Sequence, residues 1–307
     1  MKCLTSLCIL FFSCAIQAQQ ISDDSYTFTN PNPAFAKGKG PIVCIDEAHN
    51  NFHTADGRYK PFAKMLSEDG YQVKGFKEKF SESTLTGCAL LVIANAIGDS
   101  NNQDWSYPHP SAFTRNEIIA VKNWLDSGGN LLLIADHSPI AGAAADLGAV
   151  LGIVMVDIYA DGNPAGDDVF TLADGTLESH PITNGRSHEE SVDRILTFTG
   201  QAAQTTGSWQ TLMQFGPTAL AFINPQQTFS DRTGSMENFS FPIAGWIHAA
   251  ARTFGEGKVV FLGEAAMCTA QIAGPNKIKM GMNNANAPQN AQFCINVVRW
   301  LTGVVED

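Results

Sequence analysis

Short uninterrupted apolar runs alternate along this chain with stretches of helical period, and three of the apolar runs end in polar clusters. Ile42-Val43-Cys44-Ile45 leads into Asp46-Glu47-Ala48-His49-Asn50-Asn51-Phe52-His53, Leu131 to Ala135 into Asp136-His137-Ser138-Pro139, and Val259 to Leu262 into Gly263-Glu264. Continuous apolar runs of this length read as strands buried on both faces, and in open α/β sheets ligands bind beyond the carboxyl ends of such strands. The three clusters therefore predict a single site.

The remaining pattern supplies the elements between them. Strand 42–45 is followed by a helix from about Pro61, a good first-turn residue, to a stop at Gly70, then by strands from Tyr71 to Phe76 and from Ala89 to Ala94. Helix 115–126 has the clearest start: Thr114 and Glu117 form a capping box, Ile118, Ile119, Val121, Trp124 and Leu125 form its apolar face, and Gly128-Gly129 ends it. After strand 131–135, Gly142 to Leu151 reads as a small-residue helix able to lie close to a sheet. Residues 154–247 differ, being rich in Thr, Gln, Gly and Phe with short alternating stretches such as Ile195 to Thr199, and predict a β-rich insertion. Strand Lys258 to Leu262 and an amphipathic helix from Asn290 to Leu301 close the pattern. Alternating β and α elements imply an α/β fold with a doubly wound, mostly parallel sheet, formed by one domain over 41–303 after an extension at 19–40.

The first eighteen residues stand outside that domain. Lys2 precedes an apolar stretch through Ile16 that closes on Ala18, the form of a secretory signal peptide; a lipoprotein signal through Cys14 is the alternative. The expectation is a periplasmic or secreted protein with no membrane span. The net charge is -11, and losing Lys2 makes it -12 (-11 - 1). So acidic a chain argues against a nucleic-acid partner, which needs a basic footprint. Of the seven cysteines, Cys3, Cys8 and Cys14 lie in the signal. Cys44 and Cys88 sit in or beside core strands and read as buried thiols, whereas Cys268 and Cys294 are candidates for a disulfide. With no CxxC, a zinc ribbon or thioredoxin-type site has no support.

The order and wording of these motifs resemble the class I glutamine-amidotransferase-like superfamily, in particular exported members of unassigned function and trehalose-utilisation-type proteins. The resemblance is carried by Ile45-Asp46-Glu47-Ala48-His49, by Gly128-Gly129-Asn130-Leu131-Leu132-Leu133-Ile134-Ala135-Asp136-His137, by His180-Pro181-Ile182-Thr183-Asn184-Gly185, by Gly263-Glu264-Ala265-Ala266-Met267, and by Asn290 to Leu301. It covers residues 40 to 303 and implies a flavodoxin-like sheet. The superfamily's amidotransferases carry a nucleophilic cysteine at a sharp strand-to-helix turn. Here the matching turn is Asp136-His137-Ser138-Pro139, so amidotransfer is not implied. Ser138 lacks the G-x-S-x-G elbow of a serine nucleophile and, before Pro139 at a helix start, reads as an N-cap.

The chemistry available at the strand ends is acid–base. His49, His53 and His137 titrate near neutral pH and together with Glu264 can supply base and acid, and Asn50, Asn51, Asn95, Trp105 and Ser138 can orient a substrate. A divalent metal held by Asp46, His49 and Asp136 is a second option. Trp105, Tyr107 and His109 lie in a proline-flanked loop able to bring aromatic surface to a sugar, and Trp246 and His248 approach from the insertion. Asn283 to Asn290 offers a further rim. His180 reads as a turn residue and His188 as solvated. Glycoside hydrolysis commonly uses two facing carboxylates, and this histidine-rich set fits elimination better. The favoured expectation is an exported carbohydrate-active enzyme that eliminates water or a glycosyl group at a uronic acid of an oligosaccharide. A metal-dependent hydrolase of glycosides, esters or amides and a non-catalytic periplasmic binding protein remain as alternatives.

Overall fold

The structure is a computed structural model that describes residues 20–164, 167–222 and 240–306. The signal-peptide and lipoprotein readings of residues 1–18 lie outside the described residues, as do parts of the insertion. The main sheet has nine strands. Gln72–Phe76, Ile42–Asp46, Leu90–Ala94, Asn130–Ile134 and Gly257–Leu262 lie side by side in that order and run parallel. Beyond them Ile247–Phe254 turns antiparallel and pairs with Gln210–Gln214 and Ala203–Thr205, the latter leading to Ile153–Met155 at the edge. The sheet is thus mixed, with a parallel half and an antiparallel half, and the expectation of a mostly parallel sheet is corrected. In its antiparallel half Ala203–Thr205, Gln210–Gln214 and most of Ile153–Met155 come from the segment predicted as a β-rich insertion and Ile247–Phe254 follows it, so strands of that segment extend the sheet instead of sitting apart from it.

Side-chain alternation along the parallel strands divides two cores. Val43, Ile45, Leu90, Val92, Leu132, Ile134, Val260 and Leu262 pack with Phe62, Met65 and Leu66 of helix Lys60–Glu68 and with Phe293, Val297 and Val298 of helix Asn290–Leu301. Cys44, Leu91, Ile93, Leu131, Leu133, Val259 and Phe261 pack with Ile118, Val121 and Leu125 of helix Arg115–Asp126 and Leu147 and Leu151 of helix Ile140–Leu151. Burial on both faces is why the four inner parallel strands are apolar along their central positions, whereas the edge strand Gln72–Phe76 carries exposed Gln72 and Lys74. Among the described residues no helix is long and apolar enough to cross a membrane.

Three smaller sheets cover the ends: Gln20–Ser22 with Ala270–Ala273 and Ile278–Gly281, Tyr159–Asp161 with Leu220–Phe222 and Ser240–Pro242, and Asp168–Thr171 with Arg194–Thr197. The first of them shows that part of the predicted extension, 20–22, is stitched into the domain.

Cross-links fix the frame of the sheet and its helices. Cys268 and Cys294 are joined, tying the turn after Glu264 to helix Asn290–Leu301. Cys44 and Cys88 are also joined, with Cα atoms 5.8 Å apart, which corrects their reading as buried thiols: the parallel neighbours Ile42–Asp46 and Leu90–Ala94 bring the two within bridging distance. Arg299, buried, makes a bidentate pair with Asp69, Nε to Oδ2 at 2.9 Å and Nη2 to Oδ1 at 2.7 Å, and so clamps the last helix to the end of the first.

Candidate functional site

The predicted clusters meet at the carboxyl ends of the parallel strands, where they form a buried ionic knot, a polar floor and an aromatic mouth. The knot centres on His49, 1 % exposed. Its Nδ1–H donates to both oxygens of Asp46, each at 2.9 Å, and its Nε2–H donates to Oε1 of Glu117 at 2.9 Å. Burial disfavours the imidazolium, but the hydrogen bond and charge of Asp46 and the hydrogen bond of Glu117 outweigh it and raise the pKa. Glu117 completes the capping box of its helix with Oε2, which accepts from the backbone N–H and hydroxyl of Thr114. One glutamate therefore both starts a helix and pairs a histidine. Asn51 folds back on the same group, its Nδ2 donating to Asp46 Oδ2 at 3.0 Å and its Oδ1 accepting the backbone N–H of His49.

This arrangement corrects several expectations. His49 has no ring nitrogen left for a substrate proton or a metal, because two carboxylates occupy both; it is a structural imidazolium. Asn51 is spent on Asp46. The proposed metal set of Asp46, His49 and Asp136 is not assembled, and among the described residues no group of three or more His, Cys, Asp or Glu side chains is placed to hold a metal ion.

The floor lies past the ends of the neighbouring strands Leu90–Ala94, Asn130–Ile134 and Gly257–Leu262. Asn95 ends its strand in the left-handed region, φ 56°, a conformation that asparagine adopts more readily than most residues. There its Oδ1 accepts from the backbone N–H of Asp136 at 3.1 Å, and its Nδ2 faces Asp136 Oδ2 at 3.4 Å. Asp136 Oδ2 also faces the backbone N–H of Ala265 at 3.4 Å, and Oδ1 accepts from the N–H of His137. Asn50, φ 50°, turns away to Asp99 at 2.7 Å. Asn95 therefore orients Asp136, and Asn50 holds the neighbouring loop.

Glu264 and His53 are shut inside. Glu264 is fully buried, and desolvation together with the nearby Asp136 charge raises its pKa well above the ordinary carboxyl value, against the backbone hydrogen bonds of Met267 and Phe198. His53 stacks on Tyr59 with centroids 4.8 Å apart, and burial lowers its pKa to about 3, with Arg58 acting in the same direction. It is a neutral ring packed in the core and does not reach the mouth as a catalytic base.

The mouth belongs to His137. Its Nδ1–H donates to the Ser138 carbonyl at 2.7 Å, which leaves the lone pair on Nε2. The ring is half-buried, stacked on Tyr159 at 4.2 Å and 17°, with Trp105 at 6.1 Å on another side. Trp105 is 37 % exposed and in turn meets Phe52 at 6.1 Å, over whose face Arg58 sits at 3.7 Å. The result is a strip of aromatic surface running from Arg58 to Tyr159. His109 holds the loop in place, bonded through Nδ1 to Asp157 at 2.5 Å and through Nε2 to the Trp105 carbonyl at 2.9 Å. Ser138 is fully buried, and Pro139 takes the N-cap position with no side-chain cap, so the N-cap and substrate-binding readings of Ser138 are both corrected.

Other sequence candidates are placed as follows. His180 caps the short helix Pro181–Asn184 and His188 is exposed. Trp246 packs on Phe241, whereas His248 lies inside, parallel to the Phe170 ring at 5.1 Å. Asn283 reaches Asp23 and Asn290 bonds both the N–H and the carbonyl of Leu196, so that stretch braces the structure. A cleft of about 430 Å³ at the far end of the last helix, lined by Pro181, Arg186 and Val304 among others, contains none of the candidate residues.

No protein-family model and no curated protein matches the chain. Solved structures of similar fold include the N-terminal domain of mmIFT52, 15% identical over 85% of this chain and 97% of that one, with a TM-score of 0.59. A ThuA-like protein from Bacteroides uniformis is 14% identical over 90% of this chain and 94% of its own, at a TM-score of 0.46. A cytoplasmic protein from Salmonella typhimurium is 15% identical over 85% and 98%, at 0.49. At 15% identity the likeness to the mmIFT52 domain concerns the fold, a mixed α/β sheet, and leaves activity to the site itself.

Proposed function

We propose that this protein is an exported carbohydrate-active enzyme that works at the His137 mouth and catalyses β-elimination on a uronic-acid-containing oligosaccharide. The observation that carries the reading is the state of His137: tautomer fixed by the Ser138 carbonyl, ring clamped on Tyr159, lone pair on Nε2, and aromatic surface alongside. Aromatic side chains offer flat apolar faces to sugar rings while their polar tips remain wet. In the reaction Nε2 takes the proton from the carbon next to the uronate carboxylate, and the electron pair left behind forms a carbon–carbon double bond. The carbon–oxygen bond on the next carbon breaks, and the departing oxygen takes up a proton and leaves as water or as a shortened saccharide. Arg58, at the other end of the aromatic strip, supplies positive charge for an acidic sugar residue.

The finer assignment of the fold, a flavodoxin-like, doubly wound member of the glutamine-amidotransferase-like superfamily, belongs to the same proposal. It is supported by the order of the parallel strands, 2-1-3-4-5 in chain sequence, and by the helices packed against either face. Export is supported by the apolar leader in the sequence and by the two disulfides, which persist in oxidising compartments.

A second reading, a saccharide-binding protein without turnover, is favoured by one observation: His49, His53 and Glu264 are withdrawn from the surface, which leaves His137 alone at the mouth. The two are separated by incubating the mature protein with a panel of uronic-acid oligosaccharides and following ultraviolet absorbance of the new conjugated double bond, with product masses in parallel. Absorbance with loss of one water identifies a dehydratase, and absorbance with chain cleavage a lyase. Cleavage with addition of water and no absorbance replaces elimination by hydrolysis, and binding without any product replaces the enzyme by the binding protein.

A further inference from the structure

The loop that carries Trp105 to the mouth is tied down by one side chain. His109 lies inside, its side chain 1 % exposed, and each ring nitrogen faces an acceptor. Nε2 meets the Trp105 carbonyl at 2.9 Å, and Nδ1 meets Asp157 Oδ2 at 2.5 Å. Asp157 Oδ1 accepts in turn from the Gly142 N–H at 3.3 Å, in the first turn of helix Ile140–Leu151. The Trp105 backbone is thereby joined, through His109 and Asp157, to the helix that follows His137. Other ties act elsewhere on the loop. Asn101 Nδ2 donates to the carbonyls of Asp104 and Ser106 at 3.0 and 2.9 Å, and the Tyr107 hydroxyl donates to the Asp157 carbonyl at 3.2 Å.

Neutral imidazole beside an ionised carboxylate cannot make both bonds of His109. A carbonyl oxygen carries no hydrogen, so Nε2 must supply one, and Nδ1 then meets Asp157 Oδ2 lone pair to lone pair unless a proton lies between them. The pair holds that proton whichever of the two atoms it sits on. When it leaves, either two acceptors face each other at 2.5 Å, or the ring hydrogen moves to Nδ1 and Nε2 confronts the Trp105 carbonyl without one. One tie is lost in both cases, and the enclosed ring has no solvent to replace it. Ser138 Oγ stands 3.5 Å from the same Nδ1, so Ser138, His109 and Asp157 do not form a catalytic relay, in which serine and acid take opposite nitrogens. The groups that face His109 are Asp157, Ser138, the Tyr107 ring stacked on it at 4.1 Å, and Gly142, where a Cβ would come within 2.9 Å of the His109 Cβ. The pKa values of Tyr107 and of Tyr159, which senses the Asp157 charge, are both raised, chiefly by burial, so these phenols stay neutral while the pair titrates.

We propose that His109 is a positioning residue: the proton it shares with Asp157 latches Trp105 beside His137, and loss of that proton as pH rises frees Trp105 and weakens saccharide binding. The latch stands on the bonds alone, whereas its effect on a saccharide rests on the reading under Proposed function. The expected loss of affinity is about fivefold, the scale of one net hydrogen bond.

The test labels the protein with 5-fluorotryptophan and follows the fluorine resonance of Trp105, assigned with Trp105→Phe, from about pH 5 to pH 9 without saccharide, together with the ring nitrogens of His109. Expected is a shift of the Trp105 resonance in step with the His109 nitrogens. It should be absent from His109→Gln, which cannot bridge the two acceptors, and kept in His137→Ala, which removes the other histidine beside Trp105. A His109 that does not titrate in this range, a Trp105 resonance that stays still while it does, or a shift that survives in His109→Gln overturns the latch. The wild-type spectra decide even if a variant does not fold. Calorimetric titration with a uronic-acid oligosaccharide should then show wild-type affinity falling about fivefold from the lower to the higher pH, and His109→Gln at the weaker value throughout. Equal wild-type affinity at both ends overturns the role at the mouth. A latch in a protein that binds no saccharide supports the latch and overturns the reading on which its role rests.

Discussion

Replacing Glu117 by Gln removes one of the two carboxylates that hold His49 while keeping the shape of the side chain and an oxygen for the Thr114 cap. The wild-type carboxyl is held at about 2 against an ordinary 4.5. Burial opposes that shift, and the hydrogen bonds from His49 and from the Thr114 backbone and hydroxyl outweigh it. A displacement of that size corresponds to roughly 3 kcal/mol of preferential binding of the charged form, at about 1.36 kcal/mol per pH unit. Losing one member of a buried ion pair commonly costs about 3–5 kcal/mol, because the remaining charge stays in the interior. Urea unfolding at pH 7 should therefore show Glu117→Gln less stable by about 2–4 kcal/mol with the slope unchanged.

The pH dependence has a definite sign. A carboxyl whose folded pKa is depressed contributes above its unfolded value and loses that contribution as pH falls through the folded one, so the gap to the variant should close between about pH 5 and pH 2. The raised pKa of His49 acts on the other limb. Its contribution is complete below the ordinary imidazole range and fades as pH rises through the raised value. A loss below about 1 kcal/mol, the range of an exposed ion pair, or a gap that is constant from neutral to acid pH, would refute the account of the knot.

Further outcomes follow from the same geometry. Trp105→Ala should weaken saccharide binding several-fold with little change in thermal stability, because the side chain is 37 % exposed; calorimetric titration and thermal melts read the two effects separately. Asp69→Asn should destabilise the fold by about 1–3 kcal/mol in urea unfolding, because buried Arg299 loses one of its two carboxylate partners and keeps only Glu190 at 2.9 Å. Cys268→Ser with Cys294→Ser should lower stability by about 3 kcal/mol, as expected for opening a loop of that span, and alkylation followed by mass spectrometry should find no free thiol among residues 44, 88, 268 and 294 of the folded mature wild type.

The sequence made the strand ends legible because a strand buried on both faces has to stop being apolar where it leaves the sheet. Ile45-Asp46, Ala135-Asp136 and Leu262-Gly263-Glu264 mark those exits, and the structure brings all three together. Helix Arg115–Asp126 was equally readable, since its capping box is a local signal. What the sequence did not convey was direction. Spacing says that His49 stands near Asp46, but only the fold puts Glu117, 68 residues away, on its other nitrogen. The capping role of Glu117 also masked its second partner. Tyr159 lies in the segment with the weakest periodicity and His248 just after it, and the ring contact of Tyr159 with His137 and the bond of His248 to Gln201 join different elements, which no local signal marks. The disulfide between Cys44 and Cys88 was hidden for a similar reason: a cysteine inside an apolar strand looks like any small core residue until its neighbour across the sheet is known.

The central claim is that His137 is the base of a saccharide-processing mouth, and its most direct test compares wild type with His137→Ala on a uronic-acid oligosaccharide, measuring double-bond formation and binding on the same samples. The account predicts a fall in turnover of about 10²–10⁴-fold, the usual contribution of a general base, with binding and thermal stability nearly unchanged. Turnover by the variant at the wild-type rate would contradict it.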